Sequence, residues 1–200
     1  SSAASDVYKR QRRCAHEVGL TFLFAQKYHP SMRSVAPARK QLGVPTVFNF
    51  LGPLSNPARV DAQALGCSSA DMAPLLAGVL AQRGVRGAVF RGDDGRDKIT
   101  TSGLSTVWEV RDEVREHRLD PREHGIDLTS VEALAGKDGA HNADIARRLL
   151  AGERGPVRDA VLLNAAVGLV CFDEAADAPF DRRVADKMEI ARGSIDSGDL

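Results

Sequence analysis

The sequence predicts an α/β fold in which a mixed, mainly parallel sheet carries flanking helices. A strand, a helix and a second strand follow one another between Ala62 and Arg91. An acidic loop, Gly92 to Lys98, stands at the carboxyl end of the second strand, the edge at which parallel α/β sheets bind ligands. Two helical segments come later, Asn142 to Leu150 and Val157 to Val170. The second is almost wholly apolar from Ala160 onward apart from Asn164, so it belongs in the centre of the fold.

Taken in order, residues 1–11 carry no periodic apolar pattern and are set aside as a non-native or residual segment. A helical turn at Arg12 to Val18 leads to the apolar run Leu20, Phe22, Leu23 and Phe24, short enough for a buried strand. Pro30 opens a helix that Met32 to Leu42 continues and Gly43 closes; Pro37 inside it predicts a kink or a split. Ala62 to Cys67 is a strand, about Ala70 to Gln82 a helix with Gly84 as its C′ residue, and Val85 to Arg91 a strand. Lys98 to Thr101 and Ser105 to Val110 flank Ser102-Gly103-Leu104 as a hairpin would, while Arg111 to Arg122 reads as a solvated connection. Pro156 starts the apolar helix. Beyond Asp181, Val184, Met188 and Ile195 recur at near-helical spacing, and the pattern then stops. Both chain ends are expected to interrupt a domain in mid-course.

Lys plus Arg and Asp plus Glu number 27 each, so no global field exists to gather nucleic acid or anionic lipid. The longest apolar stretches, Ala160 to Phe172 and Leu75 to Ala81, fall short of the roughly 20 residues of a membrane helix. Cys14, Cys67 and Cys171 are odd in number and set among apolar neighbours, which reads as reduced thiols in a cytoplasmic protein.

Three segments could carry chemistry. In Gly92-Asp93-Asp94-Gly95-Arg96-Asp97-Lys98, three carboxylates lie within five residues. Such a turn can hold Mg²⁺ through one or two oxygens, and it is equally an ordinary Asx-type turn; Asp97 is the residue that turn chemistry explains least. In the basic segment Lys27, Arg33, Arg39 and Lys40, helical spacing turns Arg39 away from the face of positions 33, 36, 37 and 40. Arg39 is either solvated or a planar fork for a carboxylate. The run Val44 to Pro57, with Asn49 and Asn56 among Gly and Pro breaks, implies a fixed wall. His29 stands before Pro30 as an extended, structural histidine. No Ser/His/Asp set, Cys/His metal pattern or Gly-rich phosphate loop is present.

The run FLFAQKYHPSMRSVAPARKQLGVPTVFNFLGPLSNPA at 22–58 closely resembles the anthranilate phosphoribosyltransferases of tryptophan biosynthesis. RGDDGRDKITTSGLSTVWEV at 91–110 and GPVRDAVLLNAA at 155–166 continue the likeness in the same order. The resemblance implies the large α/β domain of the nucleoside phosphorylase/phosphoribosyltransferase type. Residues 12–200 would supply part of that domain, without the N-terminal helical domain and the donor-binding loops, and the full-length enzyme would be a homodimer. The implied reaction moves the phosphoribosyl group of phosphoribosyl pyrophosphate onto the amine of anthranilate, with Mg²⁺ as cofactor and no nucleic acid or membrane as partner. No side chain is implied as acid, base or nucleophile.

Carried over by position, the resemblance gives Arg39 the anthranilate carboxylate and places Ala25, Tyr28 and Met32 at the anthranilate entrance, with Gln26 where proline is usual. Asp97 takes the first place of an acidic Mg²⁺-binding pair and Lys98 the second, a charge reversal, since an ammonium cannot ligate a metal. Lys98 then contacts pyrophosphate itself, or lowers activity, or is an error in the sequence. Arg39 is expected within reach of Asp97, and the chain alone is expected to give no product. A nucleoside phosphorylase and a non-enzymatic nucleic-acid-binding relative of the same fold are the alternative readings.

Overall fold

The computed structural model describes residues 2–29, 32–44, 46–56, 58–174 and 177–198. Two compact units, Ser1–Arg59 and Val60–Leu200, divide the chain at a boundary that the sequence pattern does not mark. Pro30, Pro45 and Pro57 lie outside the described residues.

The first unit is helical: α1 (Ser2–Glu17), α2 (Ala25–Tyr28), α3 (Met32–Leu42) and α4 (Phe48–Leu54). Helix α1 runs unbroken through residues 2–11, the stretch without apolar periodicity. The strand expected at Leu20 to Phe24 does not form, and Leu20 and Phe22 are 75% and 76% exposed. Among the described residues this unit has no other strand to complete a ladder, and the Phe22 carbonyl accepts instead from Gln11 Nε2 at 2.6 Å. Pro37 does not split α3, which continues through it to Leu42.

The second unit is built on a four-stranded mixed sheet of order β1-β2-β3-β4: β1 (Ala62–Gly66), β2 (Arg86–Gly92), β3 (Ser105–Val110) and β4 (Val114–Leu119). Strands β1 and β2 run parallel, joined through α5 (Met72–Gln82), as the strand, helix, strand succession predicts. The pairs β2–β3 and β3–β4 are antiparallel, so one pairing of three is parallel and the sheet is mixed without being mainly parallel.

Two misread segments account for that difference. Arg111 to Arg122 holds β4, a strand whose charged, mostly exposed residues suit a sheet edge and disguise it as a surface connection. Lys98 to Thr101 forms no strand although Ile99, Thr100 and Thr101 are buried. Side chains bind its amides instead: Asn164 Oδ1 accepts from Ile99 N at 2.9 Å and Ser105 Oγ from Thr100 N at 3.0 Å.

Helix α5 buries Ala73, Leu76, Ala77 and Leu80, one face at helical spacing, and Gly84 follows at φ 65°, where glycine carries no Cβ penalty. On the other face of the sheet, Ala88, Phe90, Val107 and Leu119 share a core with α7 (Pro156–Val170) and α8 (Phe180–Ser197). Leu163 and Val167 of α7 and Val184, Met188 and Ile195 of α8 lie in that core, as their spacing predicts. Helix α6 (Gly139–Leu150) starts at Asp138, whose carboxylate accepts from the His141 amide at 2.8 Å. No helix among the described residues is long and apolar enough to cross a membrane.

One buried carboxylate ties this core to the antiparallel hairpin. Glu109 of β3 is 5% exposed and accepts from Arg111 Nε at 2.7 Å and from Arg183 Nη2 of α8 at 2.9 Å. His117 Nε2 of β4 lies 3.1 Å from the same carboxylate, and its ring stacks on Phe180 at 4.4 Å. Burial alone would raise the Glu109 carboxyl, yet the His117, Arg111 and Arg183 hydrogen bonds outweigh it and hold the group at about 2. A carboxyl depressed in the folded state contributes its stability above its unfolded value of 4.5 and loses it as pH falls toward about 2.

Glu109→Gln removes that charge and leaves the Arg183 guanidinium buried without a counter-ion. At neutral pH the variant should unfold about 3 kcal/mol more easily in urea. It should also lack the part of the wild-type acid destabilisation that sets in below pH 4.5. Equal urea midpoints at neutral pH would count against this account.

Candidate functional site

The turn that follows β2 is set by glycine at both ends. Gly92 donates to the Arg96 carbonyl at 3.0 Å, and Gly95 closes the turn at φ 84°. The carboxylates clustered in the sequence separate in space. Asp93 takes a fork of two bonds from Arg118 of β4, at 3.1 and 2.5 Å. Asp94 turns inward and accepts from Thr100 Oγ1 at 2.7 Å and from the Arg96 amide at 3.1 Å. Asp97 stays at the surface, where Lys98 Nζ donates to its Oδ1 at 2.6 Å. The Lys98 ammonium holds Asp97 below the ordinary carboxylate value, with burial opposing it.

Two contacts fix the main chain on either side of Lys98. Gly66, the last residue of β1, lies so close to Asp97 that a Cβ there would stand 1.7 Å from the Asp97 carbonyl oxygen. Asn164, the polar residue singled out in the apolar helix, accepts from Ile99 N at 2.9 Å and donates to Ile99 O and Ala160 O, both at 2.8 Å. One amide thus satisfies both main-chain groups of Ile99. Beside this clamp lies a pocket of about 340 Å³ whose apolar walls include Ile99, Leu134, Val157 and Val161, with Asp94, Arg96, Lys98, Thr100 and Asn164 as its polar members. Neither Gly66 nor the pocket was legible beforehand; Asn164 alone gave a signal, as the one polar residue on an otherwise apolar stretch.

The first unit holds the other expected residues. Arg39 and Lys40 of α3 border one open pocket of about 360 Å³ with Ala36, Gly43, Val44 and Asn49. The spacing argument that separates Arg39 from Lys40 is thereby corrected: positions 36, 39, 40 and 43 all border the opening. Arg39 Nη2 donates to Asn49 Oδ1 over a long 3.4 Å. The same oxygen accepts from the Thr46 amide at 3.1 Å, so α4 and the residues before it position the acceptor beside the guanidinium.

Tyr28 packs elsewhere in the unit. Its ring meets Tyr8 of α1 edge-on at 5.2 Å and its hydroxyl donates to Gln11 Oε1. Burial pushes the Tyr28 phenol up, and Tyr8 adds to the shift. Met32 begins α3, half-buried, and its amide donates to the His29 carbonyl at 3.0 Å. Ala25 begins α2, with its side chain outside the described residues. Arg39 belongs to the first unit and Asp97 to the second.

The second unit thus carries a charged turn after β2, and the first holds a guanidinium at an open pocket. The chain belongs to the glycosyl transferase family: residues 7–199 match the model of its a/b domain. It is 55% identical over 191 residues to the anthranilate phosphoribosyltransferase of Arthrobacter sp. (strain FB24), covering 95% of this chain and 54% of that one. The crystal structure of anthranilate phosphoribosyltransferase from Thermus thermophilus superposes with a TM-score of 0.82 at 40% identity, over 94% of this chain and 56% of that one. The anthranilate phosphoribosyltransferase of Saccharomyces cerevisiae in complex with PRPP and Mg gives a TM-score of 0.79 at 29% identity, over 89% of this chain and 50% of that one. The chain therefore spans about half the length of the curated relatives it matches.

The Mg²⁺ in the yeast complex prompts the question whether the residues present here fit a protein-held ion. They do not. Asp97 is a single exposed carboxylate already bound to an ammonium, and among the described residues no three Asp, Glu, His or Cys side chains converge into a cage made of protein alone.

Two variants test the placement of Asp97 and Lys98. Gly66→Ala should cost about 2 kcal/mol or more, since its Cβ meets backbone that cannot swing aside. Asn164→Ala should cost about 2 kcal/mol by leaving the Ile99 amide unpaired, and hydrogen exchange at Ile99 should quicken while that of β1 holds. An unchanged Ile99 exchange rate would show that the clamp does not order the turn.

Proposed function

We propose that this chain is the acceptor-binding part of an anthranilate phosphoribosyltransferase, which joins the anthranilate amine to C1 of phosphoribosyl pyrophosphate and releases pyrophosphate. The observation that carries the proposal is Arg39. Its fork stands at an open pocket, and its 3.4 Å bond to Asn49 is long enough to yield to a carboxylate. A planar guanidinium grips a carboxylate through two parallel bonds, which also fixes the plane of an attached aromatic ring. The names of the relatives support the transferase over the nucleoside phosphorylase reading, and the zero net charge supports it over nucleic-acid binding.

In this reading the protein positions the substrates and no side chain serves as acid, base or nucleophile. Arg39 holds anthranilate so that its ring amine, ortho to the gripped carboxylate, points along one direction. Lys40 borders the same pocket and adds positive potential there. In the second unit, Lys98 is the exposed cation that would leave Asp97 for diphosphate oxygens at the turn, while the Gly66 and Asn164 contacts keep that turn from drifting. Orientation and fixed charge supply the acceleration. The three cysteines are free thiols, and burial pushes Cys171 up to about 12, which suits a reducing, cytoplasmic setting.

The test is anthranilate binding by this chain, followed through the ligand's own fluorescence. Arg39→Ala should weaken it about thirtyfold, the worth of a charge-assisted bond of about 2 kcal/mol, and Arg39→Lys about tenfold. Binding that ignores both substitutions would overturn the assignment. In the protein that carries this chain, the same variants should slow the loss of anthranilate fluorescence in the presence of phosphoribosyl pyrophosphate and Mg²⁺.

A further inference from the structure

We infer that the turn after β2 is closed to divalent cations by its own charges, and that Lys98 is the residue that closes it. The inference deepens the proposed function and rests on the reading that this turn faces a diphosphate donor.

Each carboxylate of the turn has a cation of its own. Asp93 is held by Arg118 at 2.5 Å, Asp94 has Arg96 Nε at 3.9 Å, and Asp97 is held by Lys98 at 2.6 Å. Three negative charges meet three positive ones, and no excess is left for a hard dication, which selects uncompensated carboxylate oxygens. The three pairs differ in how readily they could open. Asp94 is committed to the turn itself, through Thr100 and the Arg96 amide, and its side chain is only 11% exposed. Asp93 links the turn to the edge strand through Arg118, which also donates to Thr106 Oγ1 of β3 at 2.5 Å. Asp97 and Lys98 have no such structural tie; both side chains are more than half exposed, and they pair with each other.

The character of the surface therefore depends on one side chain. With Lys98 present, the one exposed carboxylate free of the turn's own framework carries an ammonium at 2.6 Å. A divalent cation that assists the reaction would then arrive on the donor's phosphates, with Lys98 as an added positive charge beside them.

The experiment titrates the full chain with Mn²⁺ alone, reading free Mn²⁺ by electron paramagnetic resonance. Binding through the turn is the part abolished by Asp97→Asn. In the wild type that part should be absent in the millimolar range. Lys98→Glu, which replaces the cation by a second carboxylate, should create Mn²⁺ binding at least about tenfold tighter than any wild-type signal, and Asp97→Asn in the same chain should remove it. Circular dichroism confirms that these surface variants keep the fold. Wild-type binding as tight as that of Lys98→Glu and lost with Asp97→Asn would overturn the inference. So would a Lys98→Glu chain as silent as the wild type. No anthranilate or phosphoribosyl donor is present, so failure here is distinct from failure of the transferase reading, which the fluorescence titration addresses.

Discussion

Ile99 gives both of its main-chain hydrogen-bonding groups to one side chain, the Asn164 amide, and the exposed residues of the neighbouring turn take their place from that exchange. A segment buried as deeply as Ile99 to Thr101 must satisfy its backbone, and a ladder would be the usual means. Here a helix supplies the partner instead. The result is a non-repetitive segment whose main-chain groups are paired without a ladder and beside which Asp97 and Lys98 stay exposed. The close approach of Gly66 completes the arrangement from the opposite side, since only a residue without Cβ leaves room for the Asp97 carbonyl.

The Glu109 network performs a related task between α8 and the antiparallel pair β3–β4. Apolar burial brings α7 and α8 onto the sheet without fixing how far α8 slides along it. A carboxylate that accepts from Arg183, Arg111 and His117 has one geometry that satisfies it, and this selects the register of α8 against β3 and β4. Buried ion pairs of this kind contribute less to net stability than their Coulomb energy suggests, and removing one member is what exposes their strength.

The sequence made the strongly periodic elements legible and obscured those whose backbone or charge departs from pattern. Helices α5, α7 and α8 and strands β1 and β2 were readable because their buried residues recur at the period of the element. Strand β4 was not, since Val-Arg-Glu-His-Arg-Leu exposes most of its side chains and so lacks an apolar face of useful length. The run Leu20 to Phe24 shows the opposite failure: its composition promises burial, yet a strand exists only where a ladder partner does. At the turn, composition showed three acids in a row of turn residues and left open whether they act together. Only the positions of Arg118, Thr100 and Lys98 show that they act apart.

Strand β4 closes one margin of the sheet. Arg115, Glu116 and Arg118 succeed one another along it, with Arg115 tied to Glu113 at 2.7 Å and Glu116 accepting from Trp108 Nε1 at 3.0 Å. A second molecule that tried to extend the sheet there would have to strip water from these charges before gaining any main-chain pairing. The same residues that hide the strand in the sequence thus guard the folded chain against edge-to-edge aggregation.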